Sequence, residues 1–524
     1  MPPLDYDLII LGGSLAAREA AIAARMLQAR VALVEPDGAE AALRQDWQHQ
    51  AWIQIGRLIE GRSRLAQMGL SAFSSPPAWA AVRQWAEVIA TDLAEETSLS
   101  QVAAAGVDVV VGQGEFFRRP HLGVRAGERT LRSRAYLLAP GNRVHPLEAG
   151  NFNGNFSGIF SGIFSGIFNA TAEMKTLAQT PAEFWHPDHS QLPGRIAVWG
   201  EGARAVELAQ ALHRLGSQVT LLLDLTSNAV SHGGLPGGRL TPASRSRIAC
   251  LDADLRRLLL ASLEADGIAI YPADTLTEVH SHAGTVKLAL PDGAQTVDCL
   301  LNAGEPVPDW DGLNLEAANI RLDADGLRVY PTLQTFNARI FACTSPSAAR
   351  QQAQLAVRNA VFLPNRHLRP ELLPMVIATQ PAIASIGLTE AEARDLALQR
   401  WRDSHGTEVV VQTLPFKLNP KAPMQAAPTG FCKLIARRNG RILGIHLAGL
   451  DAEEALSTAA IALQEHCRVR SLAQLPVASP STAEILRQTA IAWQQQRLAQ
   501  QPRLQDWLET WQEIRRSRSR WTQL

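Results

Sequence analysis

Short apolar runs alternate with stretches of helical spacing through the first part of the chain. Residues 6–11, with the apolar run 8–11, read as a buried parallel strand, residues 16–27 are good helix formers, and residues 29–35 return to strand character. The order recurs with 196–199 strand-like, 203–215 helical and 218–223 strand-like. Two βαβ units about 190 residues apart predict two mononucleotide-binding folds in one chain. Between them, 107–111 and 134–139 read as further strands, the second running into the turn Pro140-Gly141-Asn142. From about residue 373 the pattern changes. Residues 409–414, 431–436 and 442–447 are strand-like, Asn439-Gly440 supplies a turn, and 453–464 is helical, which predicts an α+β third domain.

Two stretches break these patterns. In 151–168 phenylalanine recurs every four residues (Phe152, Phe156, Phe160, Phe164, Phe168), and so does glycine. A glycine in every turn disfavours a helix, whereas an extended chain places phenylalanine and glycine on one face. The expectation is an expanded surface loop, with an aromatic docking strip as its alternative. Beyond Pro502, Leu504, Trp507, Leu508, Trp511 and Ile514 share one helical face and are followed by Arg515, Arg516, Arg518 and Arg520. A helix capping the core is expected, with a partner or membrane-surface contact as the alternative.

A chain of 524 residues exceeds one ordinary domain. The changes of pattern divide it into a dinucleotide-binding domain begun in 1–150 and completed in 304–372, a Phe/Gly loop and linker in 151–191, and a second dinucleotide-binding domain in 192–303. A third domain in 373–490 and a helical tail in 491–524 complete the division. Lysine plus arginine equals aspartate plus glutamate at 50 each, so overall charge offers no reason to expect a nucleic-acid partner. The early apolar run lacks a basic start and no later run reaches the ~20 apolar residues that span a bilayer. A cytoplasmic chain without a transmembrane segment is expected. Cys250, Cys299, Cys343, Cys432 and Cys467 lie far apart, as buried free thiols do, and suggest neither a disulfide framework nor a metal site.

Two glycine motifs sit between strand and helix. The first is Gly12-Gly13-Ser14-Leu15-Ala16-Ala17, with Glu35 closing the next strand 23 residues after Gly12. In a dinucleotide fingerprint the first glycine makes the turn, the second admits the pyrophosphate, the third allows helix packing, and the acid binds ribose hydroxyls. Ser14 therefore adds a side chain where phosphates approach, while Ala17 is tolerated. The second motif, Gly200-Glu201-Gly202-Ala203-Arg204-Ala205, departs only at Ala205, and Asp224 follows Gly200 by 24 residues. With no arginine or lysine between Leu221 and Val230, this site is expected to prefer NADH to NADPH. An empty Rossmann fold is the alternative for either motif.

This order of parts resembles the pyridine nucleotide-disulfide oxidoreductases, the family of glutathione reductase, lipoamide dehydrogenase and mercuric reductase. Residues 212–222 (LHRLGSQVTLL), 382–393 (AIASIGLTEAEA) and 431–446 (FCKLIARRNGRILGIH) are similar to its helix-to-strand step, the opening of its interface domain and that domain's hairpin. The resemblance extends to about Ala490. It implies an α/β chain with two Rossmann-like domains binding FAD and NAD(P)H and a C-terminal α+β dimerisation domain, hence a homodimer. Leu138-Ala139-Pro140-Gly141 resembles the family's turn beside FAD, and Ser345 stands where the family has an aspartate that holds the flavin's ribityl chain. The family's second such turn reads Asn302-Ala303-Gly304. Arg57 opposite Glu207 would match its lysine–glutamate pair near the flavin.

The departures bear on chemistry. The family passes electrons from nicotinamide to flavin to a Cys-x4-Cys pair shortly after the first βαβ unit, but no cysteine precedes residue 250, and Trp47 and Trp52 stand at the cysteine spacing. Where the family's interface domain ends in His-Pro-Thr-x-x-Glu, residues 479–484 read Ser-Pro-Ser-Thr-Ala-Glu. A hydroxyl at Ser479 cannot exchange protons near neutral pH as an imidazole does. Dithiol and histidine are absent together. The expected function is therefore FAD-dependent electron transfer between NAD(P)H and a non-disulfide acceptor, a small molecule or a protein carrier. The alternative is a catalytically silent relative that keeps a nucleotide as a structural or sensing ligand.

Overall fold

A computed structural model describes residues 4–70, 78–144, 177–185, 191–223, 248–276, 278–282, 284–322, 326–401, 403, 406–499 and 502–521. The chain divides into two compact units, one of residues 1–66, 71–250 and 263–370, the other of residues 67–70, 251–262 and 371–524.

The first unit runs through β1 (Tyr6–Leu11), α1 (Leu15–Met26), β2 (Val31–Glu35), α2 (Ala39–Gln67), α3 (Trp79–Glu95), β3 (Asp108–Val111) and β4 (Ser133–Leu138). It continues with β5 (Arg195–Gly200), α4 (Ala203–Arg214), β6 (Gln218–Leu223), β7 (Ala269–Pro272), β8 (Cys299–Asn302), β9 (Ile340–Ala342) and α5 (Ala349–Val361). One sheet has the order β9-β4-β1-β2-β3 with every described pairing parallel, Leu8 lying beside both Val31 and Ala135. The other has the order β7-β6-β5-β8, with the short strand Ala178–Gln179 at its edge, and is parallel as well. Residues 8–11 of β1 and 31–34 of β2 are unbroken apolar runs because helices cover a parallel sheet on both faces. In α1, Ala16, Ala17, Ala20, Ala21 and Ala24 are buried, a thin stripe that lets the helix sit close against its neighbours.

The second unit holds β10 (Met375–Ile377), β11 (Ala382–Gly387), α6 (Glu390–Trp401), β12 (Val409–Pro415), β13 (Phe431–Arg437), β14 (Ile442–Gly449), α7 (Ala452–Gln464), α8 (Glu484–Ala499) and α9 (Pro502–Trp521). Its sheet is antiparallel, in the order β10-β11-β14-β13-β12, with the β13–β14 hairpin closed at Asn439-Gly440. Lys433 is buried in this sheet and is held by Asp252 at 2.8 Å, Asp254 at 2.7 Å and Glu390 at 2.8 Å. Burial works against its charge, yet the three carboxylates prevail and raise its pKa.

The strands and helices that the sequence pattern predicts fall within a residue or two of the observed ones at most ends, whereas α2, α3 and α8 are not among the predicted elements. The tail is the correction in part: α9 forms, but Trp507 and Trp511 stack on each other at 6.0 Å in the open, and Ile514 is exposed, so these three side chains do not pack into a core. The Phe/Gly stretch 151–168 lies outside the described residues. Among the described residues no helix is long and apolar enough to cross a membrane.

Candidate functional site

The first glycine motif turns β1 into α1. Gly12 has φ of +132°, and a Cβ there would run into the carbonyl of Ala139, so only glycine fits. The sequence presents Ser14 as an obstacle to phosphate, but the structure gives it another role. Its hydroxyl donates to Ala139 O at 2.9 Å and accepts from Ala17 N at 3.1 Å, capping α1 from within the loop. Ala17 is fully buried, as close helix packing requires.

Glu35 departs from its expected part. Its two oxygens accept from Arg18 Nε at 3.0 Å and Nη2 at 2.6 Å, and both side chains are sealed from solvent, 2% and 0% exposed. Arg18 also donates to Thr97 O at 2.8 Å. An arginine on the alanine-lined face of α1 needs an anion beside it, and the acid ending the neighbouring strand supplies one. A cavity of about 510 Å³ opens above this loop, bordered by Gly12, Gly13, Ser14, Asp37, Gly38 and Gly141 but not by Glu35. Asp37, two residues further on, does border it, as do Asp46, Asp309 and Asp311.

In the second motif, a Cβ at Gly200 would come within 2.6 Å of Ala303 O, which accounts for the first glycine. Ala205 is buried against it. A Cβ at Gly202 would overlap the carboxylate of Glu305, whose Oε1 accepts from Ala203 N at 2.7 Å at the start of α4. Asp224 lies outside the described residues.

Helix α2 takes the place where disulfide reductases of the resembled family carry their cysteines. His49 is buried with Nε2 3.9 Å from Glu207 Oε2, and its Nδ1 has no hydrogen-bond partner among the described residues. Burial, reinforced by the charge of Arg204, pushes the His49 pKa well below its ordinary value, so the ring is neutral at neutral pH. Burial raises the Asp46 pKa against the opposing pull of Arg204, 3.4 Å away. These four side chains border a second cavity of about 250 Å³. The helices meet closely there, since a Cβ at Gly56 would stand 2.9 Å from Ala211 Cα. Sequence reasoning placed Arg57 opposite Glu207 and missed His49. The signal available was a lone histidine on a long helix with no obvious apolar face.

Further along α2, Trp52 stacks on Trp185 with centroids 4.3 Å apart and planes within 6°, and Trp79 lies tilted at 4.9 Å from Trp52. No cysteine is found in this helix. Cys299, Cys343 and Cys432 are buried, and burial pushes each thiol up to about 12. Ser345 follows β9, and its N–H and that of Thr344 donate to Gln352 Oε1 at 3.2 Å and 2.8 Å. Its hydroxyl lies 3.3 Å from that of Ser347. In the second unit, Ser479 donates to Glu484 at 3.0 Å.

The family model described as pyridine nucleotide-disulphide oxidoreductase matches residues 6–360, and that of its dimerisation domain matches residues 373–490. Mercuric reductase of Staphylococcus aureus is 23% identical over 475 residues, covering 88% of this chain and 77% of that protein. Mercuric reductase of Acidithiobacillus ferrooxidans is 31% identical over 290 residues, 54% of this chain and 48% of its own. Dihydrolipoyl dehydrogenase of Bacillus subtilis is 27% identical over 312 residues, 58% of this chain and 62% of its own. Among solved structures, LpdA of Mycobacterium tuberculosis superposes with a TM-score of 0.71 at 22% identity, over 93% of this chain and 99% of that one. The HOCl-induced flavoprotein disulfide reductase RclA of Escherichia coli gives 0.69 at 18%, over 92% and 99%. At such identities these two likenesses speak for the fold alone.

Proposed function

Because the chain belongs to the pyridine nucleotide-disulphide oxidoreductase family, whose members bind FAD and NAD(P)H, we propose that it passes electrons between NAD(P)H and an acceptor other than a disulfide. NADH is the preferred donor in this reading, the acceptor is a small molecule or a protein carrier, and the chain works as a cytoplasmic homodimer joined through its dimerisation domain. The observation that carries the acceptor class is α2, where Trp47, His49 and Trp52 stand and no thiol does. A disulfide is reduced by a thiolate beside the flavin, and thiols raised to about 12 hold almost none at neutral pH.

The Gly12 turn and the cavity above it, which Asp37 and Gly141 border, support a reading in which they take the diphosphate and ribose of FAD; Asp37 would then replace Glu35 toward the ribose, and Ser345 would meet the ribityl chain as the resemblance implies. A bound flavin would accept a hydride and deliver electrons from its own ring, which needs no cysteine relay. His49, neutral and facing Glu207, and the Asp46–Arg204 pair would set the polarity around the acceptor. The second motif fits NAD(P)H once Glu305 is displaced from α4.

The test is anaerobic titration of FAD-reconstituted protein with NADH, followed by addition of acceptors. Bleaching of the flavin band, with recovery on adding a quinone or dye but not glutathione disulfide or lipoamide, is expected. Quinone turnover should survive replacement of all five cysteines by serine. Turnover of a disulfide lost in the Cys343→Ser variant would overturn the reading. A second reading, a silent relative that holds a nucleotide without turnover, draws on Glu35 being bound to Arg18 and Glu305 standing at α4. Flavin that binds and is not bleached by NADH would favour it.

A further inference from the structure

The phosphate-binding end of α4 is filled by the chain itself. Glu305 comes from the loop after β8 and its carboxylate accepts from Ala203 N at 2.7 Å. It occupies the gap left by the missing side chain of Gly202. The Glu305 N–H donates to Glu201 Oε1 at 3.2 Å, and Gly304 N to Asn302 Oδ1 at 3.1 Å, so the loop is held at and just before the residue that carries the carboxylate. A dinucleotide uses these same two features: the absent Cβ admits its pyrophosphate and the helix start offers N–H donors and a positive end. A carboxylate has the sign and the acceptor geometry of a phosphate oxygen. Two anions cannot share that corner.

We propose that Glu305 is an internal competitor for the dinucleotide diphosphate, so that NAD(P)H binds this chain only as the carboxylate leaves α4. This rests on the reading that the second Rossmann fold takes NAD(P)H. Glu305 borders the cavity of about 250 Å³ together with Ala203, Arg204 and Glu207, which gives the side chain room to turn aside without moving the backbone. The affinity for the reduced nucleotide is thereby lowered by the strength of one charge-assisted hydrogen bond, and the fold stays closed to nucleotide when nucleotide is scarce.

The experiment is calorimetric titration of NADH into the full chain and its Glu305→Ala and Glu305→Gln variants, with circular dichroism melting to establish that each is folded. Removing the carboxylate should tighten Kd by roughly tenfold to a hundredfold, the range for one hydrogen bond to a charged group. The glutamine variant should gain less, since its amide keeps the contact and loses only the charge, and it carries the test if the alanine variant does not fold. Inorganic pyrophosphate, titrated alone, should bind the alanine variant more tightly than the natural chain. Equal or weaker NADH binding in folded variants, beside measurable binding by the natural chain, overturns the proposal and leaves the oxidoreductase reading standing. No NADH binding by any of the three overturns both.

Discussion

At the start of α1 the helix's free N–H groups are met by Ser14, a residue of the loop itself, while at the start of α4 they are met by Glu305, 102 residues further along than Ala203. The first cap is small and neutral and also donates to Ala139 O, and a cavity remains open above it. The second is charged and arrives from a distant loop. Their glycines differ in the same way. Gly12 is held by the backbone of Ala139, which cannot yield, whereas Gly202 faces a side chain that can. The two loops read almost alike in sequence, and what separates them is supplied by groups outside the motif.

The largest expected effect concerns the acid beside the first loop. Glu35→Gln should destabilise the first unit by about 3–5 kcal/mol, because it leaves the Arg18 guanidinium buried without its anion. Replacing both residues by methionine should restore most of that loss. Urea unfolding decides the matter, and a small effect of Glu35→Gln would return the residue to the role of a ligand-binding acid. Next, Gly12→Ala should cost on the order of 3 kcal/mol, from a strained φ and a backbone clash. Gly202→Ala should cost only about 1 kcal/mol, and almost nothing in a Glu305→Ala background, where the obstructing group is gone. Equal costs at the two glycines would erase the contrast between a fixed and a movable neighbour.

Acid separates the region between the loops from its surroundings. His49 titrates in the folded chain below its ordinary value of 6.5. Between those two values the unfolded chain binds the proton and the folded chain does not. The stability due to the neutral ring is therefore complete above about 6.5 and declines as pH falls toward the folded value, by up to ~1.4 kcal/mol per pH unit. Unfolding measured from about pH 7 to about pH 5 should show a shallower decline in His49→Gln. Buried His446 contributes in the same direction from the second unit and should keep its share. The smallest effect is expected at Ser14, where alanine should cost about 1 kcal/mol through the lost cap and leave NADH affinity unchanged.

Strands and helices were legible because buried parallel strands announce themselves as unbroken apolar runs, and β1 and β6 end where the runs end. Ser14 was legible as a residue and misjudged as an obstacle, although a serine just before a run of alanines is also the signal of a helix cap. The Arg18–Glu35 pair had a trace as well: an arginine among Ala16, Ala17, Ala20, Ala21 and Ala24 on a buried face must find an acid. Glu305 left no such trace, and His49 left only that of a lone histidine on a long helix. Their partners are set by how β8 and α2 fold back toward α4, and periodicity within a segment carries no information about which distant segment it will meet.

The parallel indoles of Trp52 and Trp185 have an optical consequence. Rings held face to face at 4.3 Å couple their electronic transitions, and Trp79 at 4.9 Å from Trp52 adds a third chromophore to the group. The far-ultraviolet circular dichroism of the chain should carry the signed couplet of such a pair. Because Trp185 also borders the 510 Å³ cavity, whatever enters there announces itself as a change in that couplet, without label or cofactor colour.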